Sequence, residues 1–295
     1  MWSKTRKQLR KMLNLKQDIA RSVRLTVPSV LALALLSVGA PSYANPVGRS
    51  ATQVLSTLTV GTKSNASSDR KSHQWNKVDG KTGNYTTRDL VLERDMSDVT
   101  HNARGNVNTG TLLEPYTGKT IHFQRGASNK SEGGSASNRD GGIQIDHVVA
   151  YAEAYRSGLN RLSFQQRDSY YNDPDVLLAS QAEANNVKKD GTIAEWEPSN
   201  QAFQCDYASL QIGIKAKYGL TVDQREHDAL AKTLASCPSE TIISTGQVRQ
   251  RLAGESGSGN IGGSGNGHAS SGSHVSTSGR GWVRNLFDGL LKRFL

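Results

Sequence analysis

The stretch that decides the fold is IQIDHVVAYAEAY, residues Ile143–Tyr155, in which an alternating strand pattern changes into a helical one. Alternation places successive side chains on opposite sides of a strand. One side carries Ile143, Ile145, His147 and Val149, and the other carries Gln144, Asp146 and Val148. A histidine beside two isoleucines is most simply a hydrogen-bonded core residue. Adjacent side chains also point apart, so Asp146 and His147 can serve one site only where the strand twists, bulges or ends.

Helical and extended patterns on both sides of this stretch predict a mixed architecture. Upstream, GTLLEPYTGKTIHF has two extended runs flanking a turn at Pro115–Gly118, and residues 126–142 have loop composition. Downstream, AYAEAYRSG predicts a short helix that stops at Gly158. The further predicted elements are a helix in Leu162–Tyr171, a short buried VLLAS segment, a helix in QAEANNVKKD, a helix from Phe203 to Gly219 and a helix from Asp223 to Ser236.

Charge says little about the middle of the chain. The formal net charge is +10, but residues 45–253 hold 24 basic and 23 acidic residues, so the basic excess lies at the two ends. Net charge therefore gives no argument for binding DNA.

The N-terminus has the layout of a secretory signal. A basic stretch from Lys4 to Arg24 precedes the apolar run Val27–Ala40, and Ser42-Tyr43-Ala44 is typical of a cleavage site after Ala44. The run is shorter than the roughly 20 residues that span a bilayer. The sequence thus predicts a signal peptide over residues 1–44 and a secreted or cell-envelope protein. The alternative is an uncleaved N-terminal anchor.

The two cysteines, Cys205 and Cys237, have two interpretations. In an oxidising compartment they are expected to form a disulfide that closes a loop of about 30 residues. The alternative is two unrelated buried thiols. Secretion favours the disulfide, and the sequence has no Cys-rich metal pattern that competes with it.

The C-terminal part of the chain predicts a tether with a helix at its end. Residues 254–280 have the Gly/Ser-rich composition of a flexible linker. In residues 281–295, the apolar positions of WVRNLFDGLLKRFL follow helical spacing, with charged residues on the other face. Such an amphipathic helix is suited to a membrane surface or a protein partner. The alternative is that it folds back on the domain or stays disordered.

An ordered set of motifs resembles the HNH endonucleases, and above all their secreted bacterial branch related to the C-terminal nuclease domain of GmrSD-type restriction endonucleases. The resemblance covers about Thr87 to Cys237. The matching motifs are Ile145–Val149, Ala152–Gly158, Asn172–Pro174, Leu177–Leu178, Asn185–Asp190, Glu195–Pro198, Cys205 with Tyr207, Lys215–Asp223 and Cys237, and the upstream runs RDL…DV and EPYTGKTI are similar to the same branch. Each motif is weak alone, but their order along the chain is specific.

The resemblance implies an α+β fold with a ββα-metal (HNH/His-Me finger) core. Additional helices, N-terminal β elements and a C-terminal helical hairpin would surround that core. The implied domain spans residues 87–253, behind a weakly ordered lead-in at residues 45–86.

The resemblance also implies roles for individual residues. His147 would be the general base that activates water. Asp146 and Asn185 would be hard oxygen ligands of a divalent ion, with Mg²⁺ expected. Lys188 would contact phosphate, with Lys189 as the next candidate, although both lysines could equally form an ordinary solvated helix end.

Two positions depart from the family pattern. Ala150 stands where the family has proline, at a position that forms a turn. Val176 stands where many HNH enzymes have an asparagine that is credited with holding the loop of the ββα unit. The sequence therefore does not show which residue holds that loop. The residues expected to act as the base and the metal ligands are present.

The sequence thus predicts a secreted, metal-dependent endonuclease that hydrolyses DNA with little sequence preference. No HExxH pattern, G-x-S-x-G elbow or P-loop offers another chemistry. The alternative is a non-catalytic envelope-associated protein on a nuclease-like scaffold, tethered by its C-terminal helix. Glu153 is a candidate for contacting and orienting the residues that form the site. Trp196 is expected to pack in the core.

Overall fold

The computed structural model describes residues 45–127 and 142–258, with the side chains of 255–258 left out. The predicted signal peptide, most of the predicted loop at 126–142, almost all of the Gly/Ser linker and the C-terminal helix lie outside the described residues. Contacts divide the chain between Ala44 and Asn45, and the described residues all belong to the second unit.

The upstream strands form a three-stranded antiparallel sheet in the order β1-β2-β3. Its strands are β1 (Ser97–His101), β2 (Val107–Leu113) and β3 (Thr120–Gln124). The β2–β3 pairing sets Gly110 opposite Phe123. Between them, the Gly118 amide donates to the Glu114 carbonyl at 2.9 Å, and Gly118 has a φ of +73°. Glycine adopts that left-handed conformation without steric cost, and the predicted hairpin is confirmed.

The downstream strands form a separate antiparallel pair, followed at once by a helix. β4 (Ile143–His147) pairs with β5 (Leu177–Gln181), and β5 leads directly into a helix at Ala182–Lys188. All five residues of β5 are buried, because this pair lies between two apolar clusters. Ile143 and Ile145 pack in one cluster and Leu178 in the other. The described chain therefore has an antiparallel strand pair with a helix directly after its second strand, and two further α-helices lie between the strands in the sequence.

Helices surround the two sheets. In chain order they are α1 (Ala51–Leu55), α2 (Thr87–Asp95), α3 (Tyr151–Arg156), α4 (Phe164–Tyr171), α5 (Ala182–Lys188), α6 (Gln204–Tyr218), α7 (Gln224–Ala235) and α8 (Val248–Ser258). The predicted stop of α6 is confirmed at Gly219, which adopts the left-handed conformation that ends a helix. Asp223 caps α7 by accepting a hydrogen bond from the Glu226 amide at 2.9 Å. The predicted α+β class is thus found as two small antiparallel sheets with several helices.

A disulfide joins Cys205, near the start of α6, to Cys237, just after the end of α7. The predicted pairing is confirmed, and it ties the two helices into the expected antiparallel hairpin. Because the bond closes a loop with a sequence separation of 32 residues, we expect its removal to lower the free energy of unfolding by about 3–4 kcal/mol. Urea unfolding of the Cys205→Ser/Cys237→Ser double variant measures this. A loss under about 1 kcal/mol would show that the hairpin holds without the crosslink.

Residues 45–86 differ from the sequence-based expectation of a weakly ordered lead-in. Ala51, Val54 and Leu55 of α1 are buried in the main apolar cluster. Two isolated β-bridges join the segment to the rest of the domain. They pair Ser50 with Thr241 and Val60 with Val222. The polar composition of the segment hid this packing, because only a few of its residues, such as Ala51, Val54 and Leu55, make the buried contacts, and their partners are distant in the sequence. Within the described ranges, no helix combines the length and the apolar character needed to cross a membrane.

Candidate active site

Asp146 and His147 lie at the end of β4, where the strand turns toward α3. The strand ends at His147, and α3 begins at Tyr151. The sequence requires the strand to twist, bulge or end at this pair for both side chains to serve one site. The strand does end here, but the two side chains still have different partners: Asp146 contacts Tyr116 and Lys188, and His147 packs among aromatic rings. The strand pairing sets Asp146 opposite Leu178 and His147 opposite Leu177.

Asp146 is a buried carboxylate with two partners. Its side chain is almost inaccessible, and the whole residue is 4% exposed. The Tyr116 hydroxyl donates to Oδ2 at 2.7 Å. The Lys188 ammonium lies 3.0 Å from Oδ2 and 3.1 Å from Oδ1. Burial raises the pKa of Asp146, while the charge of Lys188 and the hydrogen bond from Tyr116 oppose that rise.

Lys188 is enclosed at the end of α5 and is 1% exposed. Besides contacting Asp146, its ammonium donates to the backbone carbonyl of His147 at 3.0 Å. One side chain therefore connects both residues of the pair from a helix about 40 positions later. Lys188 is not part of a solvated helix end. That description fits the next residue, Lys189, which is exposed and has a φ of +52°.

Asn185 lies on α5 one turn before Lys188 and faces the same side of β4. Its amide nitrogen donates to Gln144 Oε1 at 2.8 Å, and Gln144 shares its face of the strand with Asp146. The structure thus brings Asn185, Lys188 and Asp146 to one face. It shows no direct hydrogen bond between Asn185 and Asp146 among the described contacts.

His147 occupies the opposite face, inside an aromatic cluster. Its ring lies 6.0 Å from the rings of Trp75 and Tyr170, nearly parallel to both, and 5.0 Å from the ring of Tyr171. The residue is 3% exposed. Its Nε2 lies 3.0 Å from the backbone carbonyl of Tyr171. A carbonyl only accepts hydrogen bonds, so Nε2 carries the proton and Nδ1 carries the lone pair of the neutral ring.

The environment keeps the His147 ring neutral. Burial and the charges of Arg70 and Lys188 together lower its pKa to about 3, with burial the largest cause and the hydrogen bond to the Tyr171 carbonyl opposing them. A neutral imidazole with its Nε2–H fixed has its lone pair at Nδ1, where a proton would be accepted. A general base works best with a pKa near the working pH, so the lowered pKa makes His147 a weak base in this environment.

The donors near Asp146 are hard oxygens, which suit Mg²⁺. Asp146 offers a carboxylate, and Asn185 keeps its carbonyl oxygen while its nitrogen is held by Gln144. In the part of the chain that the structure describes, no group of three or more His, Cys, Asp or Glu residues is placed to hold a metal. Two oxygen ligands are enough for Mg²⁺, which usually keeps water and substrate phosphate as its other ligands. An ion at Asp146 would have to share the carboxylate with Lys188 or displace it.

Both departures from the family pattern have structural substitutes. Ala150 has φ −52° and ψ 140°, a conformation that proline also adopts. The carbonyl of buried Val176 accepts a hydrogen bond from the Val148 amide at 2.9 Å. The loop is also held by Arg94, whose guanidinium donates to the carbonyls of Pro174 and Leu177, both at 2.7 Å. The loop before β5 is thus fixed without an asparagine.

Two other candidates lie away from the pair. The Glu153 carboxylate accepts a hydrogen bond from the Ser157 hydroxyl at 2.7 Å and from the Lys215 ammonium at 3.1 Å, within a separate buried ion cluster. It does not support Asp146 or His147 directly. Trp196 packs edge-on against Tyr116, with ring centroids 5.1 Å apart, as expected for a core residue.

A family model described as the C-terminal domain of GmrSD restriction endonucleases matches residues 67–233, more than half of the chain. The chain belongs to this family. The predicted resemblance is therefore confirmed, and membership in a restriction endonuclease family indicates a nuclease-like domain. The match begins upstream of residue 87, so the GmrSD-type domain includes the segment that carries Arg70, His73 and Trp75.

One relative of this chain is described as a secreted protein. An uncharacterized secreted protein of Arthroderma benhamiae is 30% identical over 197 residues, which is 65% of this chain and 87% of the relative. No solved structure matches the chain.

Several residues of the GmrSD-type site escaped the sequence analysis. Trp75 lies outside the motifs that carry the resemblance to the family. Arg94 and Tyr116 lie inside two resembling runs, RDL…DV and EPYTGKTI, but no role was assigned to either side chain. Tyr171 contributes a backbone carbonyl, which no side-chain pattern reveals. A tryptophan and a histidine close together at Trp75 and His73, in an otherwise polar segment, were the one available signal.

Proposed function

We propose that this protein is a secreted, metal-dependent endonuclease that hydrolyses the phosphodiester bonds of DNA with little sequence preference. The observation that carries the proposal is the convergence on Lys188. Its ammonium donates to Asp146 Oδ1 and to the His147 carbonyl, although it follows them by 42 and 41 residues. The strand–strand–helix order around these residues supports a ββα-metal unit of the HNH type.

His147 acts as the general base. Its Nε2–H stays on the Tyr171 carbonyl, and Nδ1 takes the proton from the attacking water. The resulting hydroxide attacks phosphorus, the P–O bond to the leaving strand end breaks, and the leaving oxygen gains a proton from solvent. The aromatic rings around His147 hold the imidazole in one orientation, which lowers the entropy cost of the proton transfer.

Asp146 and Asn185 hold the divalent ion, which we propose to be Mg²⁺. When bound, the ion supplies positive charge opposite the negative charge that develops on the phosphate. Tyr116 fixes the Asp146 carboxylate through its 2.7 Å hydrogen bond. Lys188 offsets the charge of buried Asp146 and holds the end of β4 through the His147 carbonyl, so it acts through these residues rather than on phosphate.

Secretion is supported by three features. The relative from Arthroderma benhamiae is described as secreted, the described domain has a disulfide, and residues 1–44 have the layout of a signal peptide. Disulfides persist in oxidising compartments. The proposed location of the mature protein is therefore outside the cytoplasm. The proposal for residues 281–295 remains an amphipathic helix that binds a membrane surface or a protein partner.

The test is cleavage of supercoiled plasmid by the purified full-length protein with Mg²⁺, with and without EDTA. We expect loss of supercoiled DNA that stops when EDTA removes the metal. Asn185→Ala should lower the cleavage rate at least about 10-fold and raise the Mg²⁺ concentration needed for half-maximal rate, because one oxygen ligand is gone. The control is Glu183→Gln, an exposed position on the same helix. Cleavage unaffected by EDTA, or equal rates in both variants, would contradict the metal assignment.

A further inference from the structure

A phosphate at this site needs a cation that reaches solvent, and Lys188 does not. Its ammonium is within 3.1 Å of both Asp146 oxygens and is enclosed. Arg70, by contrast, has an exposed side chain. Among the described residues, no hydrogen bond or ion pair engages its guanidinium. It lies in a short 3₁₀ turn, Arg70–Ser72, within the segment that the sequence analysis treated as a lead-in.

The turn is anchored at both ends. At one end, the Asp69 carboxylate accepts hydrogen bonds from the Tyr151 hydroxyl at 2.8 Å and from Arg167 Nε at 2.9 Å. At the other end, buried His73 places Nδ1 2.9 Å from Asp168 Oδ1 and Nε2 2.8 Å from the Tyr151 hydroxyl. Five side chains from three segments thus fix a turn of three residues. The turn that carries Arg70 therefore has its two ends held by side-chain hydrogen bonds.

The same segment lies against His147. Trp75 stacks on the His147 ring at 6.0 Å with an interplanar angle of 14°, and its ring is 4.8 Å from Tyr171. The His73 ring stacks on Tyr171 at 5.4 Å. The turn is therefore packed on the residues that hold the proposed base.

Arg70 is carried close to the site by its own segment. It precedes His73 by three residues and Trp75 by five, and the rings of these two residues stack on Tyr171 and on His147. The exposed guanidinium therefore belongs to a turn that packs against the proposed base. A guanidinium in that place, with no carboxylate partner among the described residues, is suited to a phosphate.

We propose that Arg70 contacts a backbone phosphate of the nucleic acid next to the bond that is cut, and that the Asp69–His73 network positions it. This inference rests on the proposed nuclease function and adds a substrate-binding residue to it. The substrate group is the phosphodiester backbone, so the contact carries no sequence preference.

Binding and cleavage separate this contact from a structural role. In the presence of EDTA and on a His147→Gln background, we expect Arg70→Ala to weaken binding of a fluorescent DNA duplex. The slope of log K against log salt should fall by about 0.9, the value for one lost phosphate contact. With Mg²⁺ and His147 intact, kcat/KM should fall by about 10- to 100-fold. Arg70→Lys should restore part of both effects, and the melting temperature should stay unchanged.

The matched control is Lys71→Ala, which removes a positive charge from the next exposed position of the same turn. Equal effects from Lys71→Ala and Arg70→Ala would overturn the inference, since the general charge of the turn would then be sufficient. If the wild type cleaves and Arg70→Ala cleaves equally well, the inference fails while the nuclease proposal stands. If the wild type does not cleave but Arg70→Ala alone weakens binding, the contact stands and the nuclease proposal fails. If the protein neither binds nor cleaves DNA, both the Arg70 contact and the nuclease proposal fail.

Discussion

Replacement of His147 by glutamine should reduce DNA cleavage by about 10²- to 10⁴-fold, the usual contribution of a general base. Glutamine places an amide nitrogen near the position of Nε2, so the hydrogen bond to the Tyr171 carbonyl at 3.0 Å can persist. The basic Nδ1 is lost. The side chain stays similar in size, which keeps the stack with Trp75 and Tyr170 filled. The measurement is the single-turnover rate with Mg²⁺ on supercoiled plasmid.

The control histidine for this experiment is His122 on β3, which is exposed. Its Nδ1 lies 3.3 Å from the Thr111 hydroxyl on the neighbouring strand. His122→Gln should cleave at the wild-type rate. Circular dichroism and the melting temperature report whether both variants are folded. A folded His147→Gln protein that cleaves within threefold of the wild type would exclude His147 as the base.

Local patterns predicted the elements that build the site. Two-residue periodicity gave β4, the Gly118 turn gave the β2–β3 hairpin, and glycine stops gave the ends of α3 and α6. These signals are local because a turn or a helix end is decided by a few neighbouring residues. The order of β4, β5 and α5 also follows from the sequence, because each element has its own apolar pattern or motif. The disulfide followed from secretion and from the count of two cysteines.

The contacts that fix the site could not be predicted in the same way. The pairing of Lys188 with Asp146 depends on the side of β4 that α5 covers, and the sequence alone left the lysine as either a phosphate contact or part of a solvated helix end. Arg94 holds the loop before β5 from about 80 residues upstream. Trp75 and Arg70 lie in a segment whose polar composition indicated little order. In each case one side chain makes a long-range contact, and no periodicity records such a contact.

The same reason explains why the sequence analysis missed the ion cluster behind α3. Lys215 on α6 is 0% exposed, and its ammonium lies 3.1 Å from Glu153 Oε1 and 2.9 Å from Glu226 Oε1. Lys63, from the segment interpreted as a lead-in, lies 2.8 Å from Glu153 and 3.0 Å from Glu226. Asp223 adds a third carboxylate, 3.0 Å from Lys63. Arg156 adds a third cation, 3.3 Å from Glu153. Three cations thus balance three acids, so the loss of either lysine leaves excess negative charge.

Replacement of Lys215 by methionine should therefore lower the free energy of unfolding by about 3–5 kcal/mol, as expected when one partner of a buried ion pair is removed. Methionine has a similar length, so little of the loss comes from a cavity. Urea unfolding at neutral pH measures the effect. Lys217→Met is the control, since Lys217 is less buried and pairs with Asp173 and Asp175 near the surface. It should cost about 1 kcal/mol or less.

The pH dependence of unfolding gives a second measure of the same cluster. Burial raises the pKa of Glu153, but Lys215 and Lys63 outweigh it and hold the pKa below its ordinary value of 4.5. A depressed pKa contributes stability that is present above about pH 4.5 and is lost as the pH falls through the folded-state pKa. The unfolding free energy of Lys215→Met should thus decline less than that of the wild type between about pH 6 and pH 3. Equal declines, or a loss no greater than that of Lys217→Met, would show that Lys63 and Arg156 balance the buried carboxylates without Lys215.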